Sequence, residues 1–331
     1  MRIKFVIAIL LITLWACESE VKKKPVPKPK AKKELKKLTA PDFSADSAYR
    51  FIEQQVAFGP RVPNTDAHRK TAKFLSSKLE SYGMGVTQQK ADLRAFNGTT
   101  LNIINIIGEY KPELPNRVML FAHWDSRPFA DQDTEDRDKA IDGANDGGSG
   151  VGVLMEVARQ LQIQQPNIGV DIFFFDAEDY GQPSGDMRKR QSGTWCLGSQ
   201  YWAVNPHKED YHPKYGILLD MVGASNARFT QESISTYYAP DIVDLVWDVA
   251  ARLGHSNYFS LQNTSHVGED DHLYINKIAE IPSIDIIQYD PSTRAFAPHW
   301  HTHDDNMEVI DKKTLQAVGE TILATVLLEA K

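Results

Sequence analysis

Five strand-like or glycine-flanked runs in this chain each deliver a histidine or an acid at their end. They are His123 in VMLFAHWDS, Asp146 in IDGANDGGSG, Asp179 in DIFFFDAEDY, Asp220 in GILLDMVGA and His301 in PHWHTHDDN. This pattern constrains the fold more than composition does. Polar groups repeated at strand ends gather along one edge of a sheet only where several strands run the same way, which is where open α/β folds place ligand sites.

The remaining patterning agrees with such a sheet. Helical periodicity covers 47–58 and 66–82, followed by strand-like runs at 85–94, 101–109 and 118–123. The last two are almost continuously apolar, as strands covered on both faces are. Helix is expected over 146–161, 240–253 and 312–328, and strand over 170–175, 216–219 and 284–287. Strands alternating with helices predict one α/β domain over 41–331, with a central, mixed but mostly parallel sheet flanked by helices on both faces. The connections 126–144 and 181–194 are long for a compact domain, and such loops are often functional.

The first sixteen residues read differently. Arg2 and Lys4 precede an apolar stretch from Phe5 to Trp15, then Ala16 and Cys17. This has the layout of a secretory signal, and its apolar stretch falls short of the ~20 residues of a spanning helix. Leu14-Trp15-Ala16-Cys17 resembles a bacterial lipobox, so Cys17 is expected to be lipidated, in an exported lipoprotein facing the periplasm or the cell surface. Residues 17–40 are then a tether: nine lysines and three prolines fall between 18 and 38, a composition too poor in apolar surface to fold. Leader and tether carry eleven basic residues against three acids, so the body stands at −15 where the whole chain stands at −7. That acidity argues against a nucleic-acid partner. Of two cysteines, only Cys196 lies in the body, which therefore holds no internal disulfide.

Each motif suggests a chemical use. Imidazole nitrogen and carboxylate oxygen are zinc donors, and a catalytic zinc keeps one position open. In a two-metal site His123 would be a ligand, with Asp125 orienting its imidazole through the second ring nitrogen; otherwise the two are a structural strand-end pair. Asp146 sits before Gly147-Gly148; alone, such an Asp is commonly a turn residue, but glycines also permit the close backbone approach that pushes a carboxylate into a pocket. Three phenylalanines announce a central strand before Asp176-Ala177-Glu178-Asp179. Acids crowded at a strand end repel unless a cation or shared proton relieves them, so Asp179 is read as a metal ligand and Glu178 as general base and acid. Asp220 and the pair Asp270-Asp271 are further candidates to bind metal or share a proton with Glu178. His299, His301 and His303 alternate, but a three-histidine site would leave the strand-end acids unexplained. The chain has no HExxH and no GxSxG, which argues against a helix-borne zinc protease and a serine hydrolase.

In this order, these residues resemble the M28 zinc-peptidase superfamily and, within it, the glutaminyl cyclases of animals and Bacteroidetes-like bacteria. Phe174–Asp179, Glu269-Asp270-Asp271-His272 and Trp300–Asn306 carry the closer likeness, which spans about 45–330. The resemblance implies conversion of N-terminal Gln, and slowly Glu, of exported peptides and proteins to pyroglutamate. It also implies a single Zn2+ on Asp146, Asp179 and His301, and Glu178 as proton shuttle with Asp220 and Asp270 bonded around it. Trp195, Trp300 and Glu269 then bound the substrate pocket. The animal enzymes have Glu where this chain has Asp179. In two-zinc aminopeptidases of the superfamily, His123 and Asp220 bind the second metal, which is the alternative reading.

Overall fold

The computed structural model describes residues 36–183, 185–265 and 267–330. The expected leader and most of the tether, Cys17 included, lie outside the described residues. The tether's last residues touch the body: Arg252 Nε donates to Lys36 O (2.9 Å), and Leu38 N donates to Arg252 O (3.1 Å).

The elements follow in the order α1 (Ala45–Val56), α2 (Asp66–Ser81), β1 (Gly85–Arg94), β2 (Thr100–Tyr110), β3 (Arg117–His123), α3 (Gly148–Gln164), β4 (Gly169–Phe175) and α4 (Leu197–Val204). After these come β5 (Gly216–Asp220), β6 (Phe229–Gln231), α5 (Ser233–Tyr238), α6 (Pro240–Leu253), β7 (Phe259–Asn263), α7 (Asp271–Lys277), β8 (Ser283–Ile287) and α8 (Lys312–Glu329). Side-chain oxygens of Ser44, Thr65 and Asp311 cap α1, α2 and α8, satisfying N–H groups that a helix start leaves free.

Six strands form one sheet in the order β1-β2-β4-β3-β5-β8. The pairs β4–β3, β3–β5 and β5–β8 are parallel, while β1–β2 and β2–β4 are antiparallel. The sheet is thus mixed and mostly parallel, as the pattern predicted. Strand β3 shows why its sequence is unbroken in apolar residues. Val118, Leu120 and Ala122 pack with α1, α3 and α8, whereas Met119 and Phe121 pack with α4 and α7. Every residue of the strand is buried, and each such large apolar side chain contributes ~1.5–3 kcal/mol relative to exposure.

Five elements had no counterpart in the sequence reading: α4, α5, α7, β6 and β7. They are short, and α4 has no side-chain cap at all. Its first N–H groups go to carbonyls at the end of β4: Cys196 N to Glu178 O (2.9 Å), Leu197 N to Ala177 O (3.1 Å) and Gly198 N to Asp176 O (3.0 Å). A helix nucleated on a distant strand end leaves little local signal.

Candidate active site

Because β4, β3 and β5 are parallel neighbours, their carboxyl ends lie side by side. His123 ends β3, Asp176–Asp179 follow β4, and Asp220 ends β5. The turn before α3 adds Asp146. Gly147 there has φ +80°, and a Cβ on it would collide with Asp125 O and press on the His123 ring. Only glycine allows that approach. Two buried carboxylates fix the acid-bearing backbones from afar. Asp125 accepts the N–H groups of Glu178 (3.1 Å) and Asp179 (3.2 Å), and Asp305 accepts those of Asn145 (2.8 Å) and Asp146 (3.0 Å).

Two trios result, sharing Asp146. In the first, His301 Nε2 lies 3.2 Å from Asp179 Oδ1 and 3.6 Å from Asp146 Oδ2. In the second, His123 Nε2 lies 3.0 Å from Asp146 Oδ1 and 3.2 Å from Asp220 Oδ1. Within each trio the donor atoms lie within 4.8 Å of one another. The far nitrogen of each imidazole faces a carboxylate: His301 Nδ1 is 3.2 Å from Asp131, and His123 Nδ1 is 3.5 Å from Asp125. Burial alone would raise Asp131, but His301 and Arg127 beside it hold its carboxyl well below the usual range. Arg127 also donates to Asp179 O (2.7 Å) and lies 4.4 Å over the Trp195 ring.

The trio Asp146, Asp179 and His301 fits a zinc ion. Its donors are two carboxylates and an imidazole, the ring is oriented from behind, and buried Asp179 Oδ2 has no hydrogen-bond partner among the described residues.

Glu178 sits beside the trio. Burial lifts its carboxyl well above the ordinary range, and the neighbouring charges of Asp179, Asp270 and Asp271 add to that, against the pull of His123. Its Oε1 accepts from Cys196 Sγ at 3.2 Å. Asp270 shares that cluster, pushed up to about 7 chiefly by burial. Asp146, Glu178, Asp179, Asp220, Asp270 and His301 face a cavity of about 780 Å³ lined by Trp195, Trp300 and Glu269 and, from the two long loops, by Asp131 and Arg190. The Trp300 ring stacks on His301 at 3.7 Å, and Trp195 lies parallel to the same imidazole at 5.9 Å.

Residues 105–326 match peptidase family M28. The chain belongs to that family. Among curated relatives, the aminopeptidase YwaD of Bacillus subtilis is 29% identical over 81% of this chain and 53% of its own length. The glutaminyl-peptide cyclotransferase of Bos taurus is 26% identical over 67% of this chain and 65% of its own. The chain thus spans between half and two thirds of those relatives. Solved structures match over nearly their whole length. A glutaminyl cyclase of Tannerella forsythia is 53% identical, with TM-score 0.84 over 87% of this chain and 99% of that one. A Zn-dependent exopeptidase of Parabacteroides distasonis is 51% identical, with TM-score 0.85 and the same coverage.

The residues singled out from sequence therefore converge, with some changes of neighbour. Asp270 lies within 4.8 Å of Glu178, near it but not hydrogen-bonded to it among the described residues, and Asp220 is bonded to His123 instead. Asp176 turns away to His68 (2.7 Å). The three alternating histidines separate, because the segment turns instead of extending, with His301 at φ +56°. His299 meets Asn145 and His303 meets Asp133. Sequence reasoning assigned no part to Asp131, Arg127, Cys196, Asp305 or Asp285. Of these, only Asp285 carried a local signal, as an acid inside the apolar run 284–287.

Proposed function

We propose that this M28 protein is a zinc-dependent glutaminyl-peptide cyclotransferase that closes N-terminal glutamine to pyroglutamate and releases ammonia. The observation that carries the reading is the pair of indoles, Trp195 and Trp300, set parallel or nearly so to His301 at the mouth of the acid-lined cavity. Flat apolar faces enclose one small side chain at low entropic cost, and a glutamine folded back on its own amine is such a group. The likeness to the cyclases at about half identity over almost their full length supports the same choice.

Asp146, Asp179 and His301 would hold one zinc per chain, which would supply Lewis-acid polarisation of the side-chain amide. The substrate's α-amine forms the new bond to the amide carbon, and the carbon–ammonia bond breaks, so the protein provides no nucleophile. Glu178 takes the proton released by the amine and returns it to the departing nitrogen. The lifted carboxyl suits a group that must both take and give near neutrality. Asp125 and Asp305 hold the acid-bearing turns, Asp131 and Arg127 hold His301 and the Asp179 backbone, and Asp270 shares the buried cluster of Glu178.

The trio of His123, Asp146 and Asp220 favours a second reading, a two-zinc M28 aminopeptidase. Zinc counted per chain, together with pyroglutamate formed from a Gln-peptide and leucine freed from a Leu-peptide, separates the two. The cyclase reading expects one zinc, cyclisation of many Gln-peptides, slow cyclisation of Glu-peptides and no leucine. Leucine release without pyroglutamate would sink it.

The same proposal places the enzyme outside the cytoplasm, anchored through a lipid on Cys17 and acting on exported chains whose processing exposes Gln. It is supported by the leader layout and the lysine-rich tether. Cys17→Ser should move the protein from the membrane fraction to the soluble one; an unchanged distribution would refute the anchor.

A further inference from the structure

Glu178 is held from three sides. Its N–H donates to Asp125, its carbonyl accepts from Cys196 N, and its Oε1 accepts from Cys196 Sγ. Cys196 thus supplies two of the three contacts. It is fully buried, as Glu178 nearly is, and it sits at the start of α4, whose next two N–H groups continue the docking onto Ala177 and Asp176. Both residues that frame the acid adopt left-handed backbone, Ala177 at φ +52° and Cys196 at φ +56°. Side-chain-bearing residues hold that conformation only where the surroundings over-determine it, and such sites gather at functional positions.

We propose that Cys196 is a positioning residue for the cyclisation, its thiol holding Oε1 of Glu178 so that the other carboxylate oxygen is the one that moves the proton. A buried cysteine packed for volume alone needs no polar partner. Here the sulfur lies 3.2 Å from a carboxylate oxygen in a cluster completed by Asp270. Burial, and then the charge of Glu178, push the thiol well up, which keeps its hydrogen in place as a donor. With one oxygen fixed, the carboxylate does not rotate between taking the proton and returning it, and positioning of that kind acts on turnover more than on binding.

The inference rests on the cyclase reading, and its test keeps the two apart. Wild type, Cys196→Ala and Cys196→Ser are assayed on a Gln-peptide below their melting temperatures, and Cys196→Ala is repeated in a Glu178→Gln background. Cys196→Ala should lower kcat about tenfold, the scale of one hydrogen bond, with KM changed less than about twofold. Zinc content should stay at the wild-type level. Cys196→Ser, which keeps a donor, should recover to within about threefold of wild type. In the Glu178→Gln background the alanine change should cost less than about twofold. Should Cys196→Ala not fold, Cys196→Gly makes the same deletion in a residue suited to left-handed backbone. A wild-type enzyme that cyclises no Gln-peptide sinks the function. An active wild type refutes the inference alone if Cys196→Ala keeps its kcat, if serine restores nothing, or if alanine costs the same without the Glu178 carboxylate.

Discussion

At the starting edge of the central sheet, Arg117 of β3 forks onto Asp171 of β4 with two contacts of 2.6 Å, and Tyr211 donates to the same carboxylate at 2.7 Å. The remaining guanidinium nitrogen donates to Pro112 O and Leu114 O. At the opposite edge, from the ends of β4 and β5 and the turns beside them, Asp146, Asp179, Glu178, Asp220 and Asp270 face one cavity, and Asp179 Oδ2 is buried without a partner among the described residues. Both edges bury charge, but only the first balances it with the chain's own residues. The first edge is complete as protein; the second is completed by what it binds.

The contrast breaks most completely at the metal. Chelation, or Asp179→Asn, should remove cyclisation to background and leave the Arg117 edge intact. Because the ion is held by the folded state, chelation should also lower the melting temperature; zinc at ~1,000 times its dissociation constant stabilises by about 4 kcal/mol. Full turnover in a protein shown by elemental analysis to hold no metal would overturn the assignment. Glu178→Gln comes next. It keeps volume and removes the proposed shuttle, so turnover should fall roughly 10²–10⁴-fold with zinc retained. If zinc is lost instead, the roles of Glu178 and Asp179 must be exchanged.

The opposite edge should respond in stability and not in chemistry. Arg117→Ala strands fully buried Asp171, and leaving one member of a buried pair costs about 3–5 kcal/mol. Urea denaturation should show that loss, while kcat per folded molecule stays within about twofold of wild type. A turnover loss as large as that of Glu178→Gln would mean the edges are not independent. A smaller effect concerns pH. Burial, as the first cause, pushes Asp270 and Asp271 up to about 7 and Asp305 to about 8. These acids keep protons in the fold that the unfolded chain releases near ~4. The folded state therefore binds more protons between those values, and stability falls as pH rises through them. The metal-free protein should melt higher at pH ~5.5 than at pH ~8, and zinc should narrow the gap. A higher melting point at pH ~8 would reverse the sign.

The same two edges explain what sequence disclosed. Strands β3, β4 and β5 were readable because both faces are apolar-covered, and their terminal His123, Asp179 and Asp220 stand out against that background. Residues that complete the site act across long separations. Asp305 grips backbone 160 positions away, and Cys196 reaches Glu178 from eighteen positions away. Helix α4 carries no capping side chain, because strand-end carbonyls take its N–H groups. Neither partner in such a pair is marked locally, so each looked like an ordinary turn residue or core cysteine. Asp285 is the exception, since a carboxyl inside an apolar strand is conspicuous by itself, yet nothing in the sequence places it where the fold does, within 4.8 Å of Asp270 and His272.

The smallest expected effect tests the aromatic wall, where the binding edge is closed by surface instead of charge. Trp300 is half-buried. One face lies on His301 at 3.7 Å, and Phe296 meets its ring at 4.7 Å. An aromatic contact of this kind adds ~0.5–1.5 kcal/mol beyond its buried area. Trp300→Ala should therefore lower kcat/KM on Gln-peptides by about tenfold, and Trp300→Phe should recover most of that. His301 is also held by Asp131 at its far nitrogen and faces Asp179 at the near one, so removing the indole should leave the ligand in place and zinc stoichiometry unchanged. If Trp300→Ala instead lost metal in proportion to activity, Trp300 would be a structural support for His301, as Arg117 is for Asp171. The wall of the glutamine pocket would then have to be sought in Trp195, whose ring is backed by Arg127.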